Sequence, residues 1–463
     1  MASTARRTAL AGLVLALQLG SSAARANPPF TLEPVDATAA FVGQYASIAL
    51  DAAQVPRVSY YDETSGNLKY AQRTGGVWTR ETADLSTDDQ GLFTSIAIDA
   101  TGRPHISYYD NTNSRLLYTF KSGGIWTREI VDATSADVGW YTSIALDGSG
   151  NVWISYYDKA NGDLKVAHRV GGVWTLETAD PEGDDAGLYT SIEIGPDGEP
   201  RVLYYDQTTN DPAYAWRVAG TWNHEPVEES EDDTGLYGSL ALDGAGRPYV
   251  SYYDATNGDL KFAEKTGPAW TAITIDPSAN DVGYDTSIAL DAAGNPHITY
   301  QDSSVGNLLY ARRWFGTWQL SIVDDSFDNV GLYSTLAIDQ YGGARICYQD
   351  GTTSDLRYAY GPQELIGVGG DPAPALSGVT VAPNPAGRGA HVRLAFPQTG
   401  AGARIAIVDV HGRLARTLTT AGEGIALWDG ADEQGAAVRP GLYFVRALAS
   451  ADPRAVGRVV VLR

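Results

Sequence analysis

The stretch "YTSIALDGSGNVWISYYDKANGDLKVAHRVGGVWTLETAD" (141–180) holds four short runs rich in β-branched and aromatic residues, separated by Gly, Asn and Asp. The runs are YTSIALD (141–147), VWISYYD (152–158), LKVAHR (164–169) and VWTLETAD (173–180). None has a helical period, so the stretch reads as four antiparallel strands. The serine of SIALD recurs at Ser47, Ser95, Ser143, Ser191, Ser239 and Ser287, with Thr335 in the seventh place, a constant spacing of 48 residues. The tryptophan of the fourth run keeps the same beat at Trp78, Trp126, Trp174, Trp222, Trp270 and Trp318. Four strands per repeat of this length are the signature of a β-propeller blade. Seven equal units without an atypical capping repeat favour a closed ring over a linear stack.

The ring is expected to close through its N-terminus. A seventh tryptophan is due at Ile366, in QELIGVGG, which does not read as a strand. One period before Trp78 stands Phe30, in FTLEPVD (30–36), in phase with WTRETAD. The chain therefore starts with the outer strand that its last blade lacks, and pairing the two ends hides sheet edges that would otherwise invite aggregation.

Composition agrees with an all-β protein. Gly (51), Tyr (27) and Trp (11) are plentiful and only 19% of residues are charged. Arg6 and Arg7 precede an apolar run, Ala9–Leu19, which ends at Ala24-Arg25-Ala26. That order describes a secretory signal occupying residues 1–26, too short to stay as a membrane span. The lone Cys347 permits no internal disulfide, so a secreted chain must hold itself by packing. Residues 27–362 carry 48 acids against 20 bases, which makes nucleic acid a poor partner.

Strand alternation sorts the loops by face. The turns after the second and fourth strands open on one face, the top, and are acidic: DLSTDDQG (84–91), DATSADVG (132–139), DPEGDDAG (180–187), EESEDDTG (228–235) and DPSANDVG (276–283). The bottom turns start at Arg73, Lys121, Arg169, Arg217, Lys265 and Arg313, which implies a disc of opposite charge on its two faces. Residues repeated in every blade read as structural. The YYD aspartates, beginning with Asp62, cap turns. The tyrosines from Tyr60 to Tyr348 pack between blades, and the tryptophans are core.

Departures from the sevenfold pattern are better functional pointers. Three residues before SIALD, Gln or Leu gives way to Trp140 and Tyr284, and the next position is aromatic except for Asp285. Aromatic faces beside carboxylates suit sugars or a cationic peptide. The candidate ligand-binding residues are Trp140, Tyr284 and Asp285, with Asp89, Asp137, Asp185, Asp233 and Asp281 of the acidic loops. Calcium is a second reading of those loops, although none has the D-x-[DN]-x-[DN]-G spacing. No catalytic residue is assigned: the six histidines form no reactive constellation, and G-x-S-x-G, H-E-x-x-H and phosphate-cradling loops are absent from the sequence. The repeat keeps pieces of the sialidase S-x-D-x-G-x-x-W turn but not its spacing.

A Gly/Pro-rich linker spans 363–378, and 379–463 reads as a small β-sandwich. There Pro383-Asn384-Pro385, Asp409 with Gly412-Arg413, Trp428-Asp429-Gly430 with Asp432 and Gly435, the PGLYFVR strand and the final RVVVLR form a combination. It resembles the C-terminal sorting domain of type IX secretion substrates and the Ig-like domain of the flagellar hook-capping protein. The resemblance implies export to the bacterial surface or medium, with this module as address and the secretion machinery as partner. The repeats resemble those of bacterial secreted seven-bladed propellers. Together these readings describe a monomeric, non-catalytic binding or adhesion propeller for an extracellular glycan or protein. The alternative is an extracellular polysaccharide hydrolase or lyase. N-terminal sequencing of protein recovered from outside the host cell is expected to begin at Asn27; an intact Met1 in the cytoplasm would overturn the address.

Overall fold

The computed structural model describes residues 30–38, 41–181, 185–314, 316–326 and 329–361, together with shorter stretches between 380 and 461. The signal segment, the linker and the Pro383-Asn384-Pro385 motif lie outside the described residues. The chain divides into two compact units, 1–366 and 367–463. Among the described residues no helix is long and apolar enough to cross a membrane.

The first unit is a seven-bladed β-propeller of four-stranded antiparallel sheets. In blade 3 the strands are Trp140–Leu146, Val152–Asp158, Asp163–Val170 and Val173–Asp180. The burial of each strand explains its sequence. The second strand, VWISYYD, is buried at every position, so it reads as a continuous apolar and aromatic run. The fourth, at the rim, is exposed or half-buried until its last two residues and carries Thr and Glu. The strand Thr31–Asp36 pairs antiparallel with Asp355–Gly361, Thr31 opposite Tyr360, and completes the last blade. The ring is latched.

Side chains join the blades. Each second-strand tyrosine is buried and donates its hydroxyl to a carboxylate at the end of the preceding blade's fourth strand: Tyr60 to Asp36 (2.8 Å), Tyr156 to Asp132 (2.8 Å), Tyr300 to Asp276 (2.9 Å). The same bond joins Tyr108 to Asp84, Tyr204 to Asp180, Tyr252 to Glu228 and Tyr348 to Asp324, so all seven junctions have it. Nearer the axis, the SIALD serine accepts the N–H of the next inner strand, as from Ile144 to Ser95 and Ile192 to Ser143. Thr335 accepts from Ile48 and carries this series across the closure.

The tryptophans depart from expectation. They lie between blades, but half-buried at the rim, where they cap inter-blade cores made of Tyr, Val, Leu and Ile. Trp174 meets Tyr118 edge-on at 5.3 Å and donates its N–H to Glu129, which also holds Arg169 bidentately. An indole needs a partner for its N–H, and the rim supplies one. The same Glu–Arg/Lys–Trp joint uses Glu33 with Arg73 and Trp78, Glu177 with Arg217 and Trp222, and Glu225 with Lys265 and Trp270. Lys121 pairs with Glu81 and Arg313 with Glu264. The bottom cations are therefore neutralised between blades, and the expected basic face does not form.

The second unit contains a three-stranded sheet and a four-stranded sheet around one core that includes Val392, Leu394, Ile405, Ile407, Trp428 and Val445. Trp428 is fully buried and donates to the carbonyl of Ala431.

The latch strand also supplies Glu33 and Asp36 to the junction with the first blade, so removing residues through Asp36 strips that junction as well as an edge. The truncated chain is expected to aggregate or melt well below the intact one. Size-exclusion chromatography and a thermal melt indistinguishable from the intact protein would show the strand to be dispensable.

Candidate functional site at the channel mouth

Seven glycines, one per blade, lie at the top end of the inner strands and hold them close to the preceding blade. Gly139 has φ +111°, and a Cβ there would stand 2.8 Å from the Leu116 backbone. Two residues on, the chain again takes a left-handed turn at Tyr45, Phe93, Tyr141, Tyr189, Tyr237, Asp285 and Tyr333, all with φ between 47° and 55°. Such a conformation costs a bulky residue about 1–3 kcal/mol and persists only where its surroundings enforce it. Here it coincides with a bulge: in blade 3 the pairing jumps from Trp140–Tyr157 to Ser143–Ser155. The bulge turns all seven side chains onto the axis.

The result is a collar. Neighbouring ring centroids are 4.8 Å apart for Tyr333–Tyr45, 4.6 Å for Tyr45–Phe93, 4.7 Å for Phe93–Tyr141, 4.4 Å for Tyr141–Tyr189 and 4.9 Å for Tyr189–Tyr237. Asp285 fills the break. These residues and the layer below them, including Thr94, Thr142, Thr190 and Thr286, line a cavity of about 200 Å³. Burial pushes the phenols up, Tyr189 and Tyr237 each to about 12, so they are neutral donors. Burial also pushes the Asp285 carboxyl up to about 6, and the N–H of Tyr333, donated to it at 2.7 Å, opposes that shift.

Trp140 and Tyr284 stand against this collar. Trp140 lies 5.1 Å from Phe93, and Tyr284 lies 5.5 Å from Tyr237. The Trp140 indole donates to Asp137 at 2.7 Å, and the Lys159 ammonium sits 3.7 Å from its ring centre and 3.7 Å from Asp137. Tyr284 packs at a tilt against Tyr253, ring centres 4.3 Å apart. The trio of Trp140, Lys159 and Asp137 offers an apolar ring, a cationic donor and an anionic acceptor within one side-chain length. That combination matches a hydroxylated or carboxylated sugar.

The loop aspartates have structural partners. Asp89 accepts from Tyr61 (2.5 Å), Asp137 from Tyr109 (2.6 Å), Asp233 from Tyr205 (2.8 Å) and Asp281 from Tyr253 (2.6 Å), and Asp185 accepts from Tyr157. Each therefore ties its loop to the preceding blade, and the second oxygen is engaged as well at Asp89, which accepts from Asn111 (2.8 Å), and at Asp137, which faces Lys159 (3.7 Å). Asp110 accepts from the N–H of Asn113 in the turn behind it, and Asp254 from that of Asn257, as turn caps should. Among the described residues no three His, Cys, Asp or Glu converge to hold a metal ion.

Two residues of interest escaped the sequence reading. Lys159 is the only cation among Glu63, Asn111, Lys159, Gln207, Ala255, Ser303 and Gly351 at its position. Glu193 stands where every other blade has alanine, in SIEI against SIAL, SIAI, SLAL and TLAI. Both were legible as breaks in the repeat.

No protein-family model and no curated protein matches the chain. Among solved structures it is similar to PorZ, a bacterial surface component of the type-IX secretion system of Porphyromonas gingivalis. The TM-score is 0.49 at 17% identity, over 91% of this chain and 59% of that one. It is also similar to a PL25 ulvan lyase (TM-score 0.48, 13% identity, 72% of this chain and 94% of that one). A third likeness is to the polysaccharide lyase Uly1 (TM-score 0.47, 9% identity, 69% and 90%). The chain thus spans about three fifths of the length of the surface component.

A carboxyl whose folded pKa is raised favours the folded state below its unfolded pKa, and that contribution is lost as pH rises through the folded value. Asp285 therefore destabilises the fold above pH about 6. Asp285→Asn is expected to raise stability at pH 7 by roughly 1–3 kcal/mol and to leave it unchanged at pH 4. Denaturant melts at the two pH values read the difference; an equal effect at both would mean that Asp285 is not held out of water.

Proposed function

We propose that this protein is a secreted or cell-surface binding propeller that engages a glycan through its top face without chemical turnover. The observation that carries this reading is the Trp140–Lys159–Asp137 trio, standing with Tyr284 on a collar whose other departures from sevenfold symmetry are few. The ring is rigidly pinned, and its phenols are neutral hydrogen-bond donors, which suits recognition of hydroxyl-rich ligands. Among the described residues lining the collar cavity, Asp285 is the only carboxylate. The common two-carboxyl route of glycoside hydrolysis takes a positioned pair, and the described residues lining this cavity supply one.

The address comes from the sequence: a signal segment at residues 1–26 and a C-terminal module of the sorting type after the linker. Under this reading the module delivers the propeller and takes no part in binding.

A glycan array probed with the full-length protein, with and without calcium, tests the reading. Binding is expected with modest affinity per site, and Trp140→Ala or Tyr284→Ala should weaken it by about tenfold, the scale of one aromatic contact. New reducing or unsaturated ends from any bound polysaccharide would replace it with the hydrolase or lyase reading. Binding untouched by both substitutions would move the site elsewhere.

A further inference from the structure

The rings of the upper collar turn with the blades. Successive planes are inclined by 52° for Tyr333–Tyr45, 55° for Tyr45–Phe93, 50° for Phe93–Tyr141, 40° for Tyr141–Tyr189 and 52° for Tyr189–Tyr237. Four of these five steps are close to the one seventh of a turn between neighbouring blades, so the planes stand upright along the axis. Centres 4.4 to 4.9 Å apart are too close for rings set side by side. Each face is therefore turned to its neighbour, and the edges with their hydroxyls point into the channel. Five tyrosines bring a hydroxyl there, Phe93 leaves a gap and Asp285 supplies a carboxylate. Burial first raises the phenols of Tyr45, Tyr189, Tyr237 and Tyr333, and the charge of Asp285 adds to it in all four, so the carboxylate is felt around the ring. One Asp285 oxygen accepts the Tyr333 N–H at 2.7 Å; the other has no hydrogen-bond or ion-pair partner among the described residues. Lys159, above the collar, is already held by Asp137 and Trp140.

We propose that the glycan taken by this face is a polymer of amino sugars with free amines, and that the collar seats one of its ammonium groups between Asp285 and the converging phenols. The proposal rests on the glycan reading above and names its ligand class. A primary ammonium has three donors; the unpaired Asp285 oxygen takes one, and a phenol that donates to its neighbour still has a lone pair to accept another. A neutral sugar would leave the half-buried carboxylate without a counter-charge. A uronate or sulfated sugar would meet like charge, because residues 27–362 carry 48 acids against 20 bases. A lysine side chain would satisfy Asp285 but has no use for two aromatic side chains beside the collar. Trp140 and Tyr284, in blades 3 and 6, are as far apart around the mouth as seven blades allow. A row of pyranose rings crossing the mouth meets both while one amine turns down into the collar. The cavity, about 200 Å³, is smaller than a pocket for a whole ligand and suits a single inserted group.

Calorimetric titration of the full-length protein at pH 6.5 with the β-1,4-linked glucosamine tetramer, its fully N-acetylated form and tetralysine tests the assignment. The amine tetramer is expected to bind about tenfold more tightly than the acetylated one, the scale of one charge-assisted hydrogen bond. Asp285→Asn, expected above to be at least as stable as the wild type, should erase that preference by weakening the amine tetramer alone. Trp140→Ala should weaken both tetramers, since the indole serves the sugar rings and not the amine. Equal binding of the two tetramers by the wild type would overturn the proposal and leave the glycan reading standing, as would binding of the acetylated tetramer alone. Amine binding untouched by Asp285→Asn would also overturn it, marking a general attraction of polycations to the acidic face. Tetralysine bound through Asp285, with neither tetramer bound, would make the collar a peptide seat and overturn it too. Absence of binding to any saccharide, on the array as well, would remove the glycan reading together with the proposal.

Discussion

The ring depends on one buried bond made seven times, a tyrosine hydroxyl given to a carboxylate of the preceding blade. The β-ladders stop at the edge of each sheet, so the joint between blades needs another polar lock, and a phenol and a carboxylate leave the interface dry and satisfied. Removing either group alone would strand the other in a low-dielectric gap. In every junction acid and tyrosine are 24 residues apart in sequence, from Asp36–Tyr60 to Asp324–Tyr348. An inserted residue between them would pull the lock out of register. The constancy of the repeat follows from that separation, because the segment joining acid to tyrosine crosses from one blade to the next and has no slack.

Sevenfold repetition also separates scaffold from site. A group needed at each junction is copied, as with the glycine that lets Gly139 approach Leu116, or the serine that accepts the next strand's N–H. A ligand has no such symmetry and needs a place where the copies differ. The differences gather on the axis: Asp285 in the upper collar, Trp140 with Lys159 and Tyr284 around it, and Glu193 below. The Asp285 carboxyl, half-buried on the axis without a cation beside it among the described residues, would be a poor choice for stability alone.

Much of this was legible in sequence because strand alternation fixes which side of a sheet a residue faces. The phase of Phe30 was enough to locate the missing strand, and the breaks at Trp140, Tyr284 and Asp285 did lead to the channel mouth. Phase does not say how deep a residue lies or what meets it from the next blade. Trp174 and Arg169 have the right side but the wrong depth and charge in a sequence reading, since Glu129, forty residues or more away in the chain, decides both. The structural ties of the loop aspartates were hidden for the same reason: nothing local announces that Asp89 is already engaged by Tyr61. Glu193 is different, a visible break in SIALD that lay at the less acidic end of the disc.

The latch carries a further consequence, for the order in which the fold is made. Thr31 faces Tyr360, so the first strand of the propeller has no sheet to join until almost the whole ring has been synthesised. Contacts this distant in sequence form late and slowly, because loop closure must precede any gain from them. A chain emerging from its N-terminus would carry an unpaired edge strand through six completed blades.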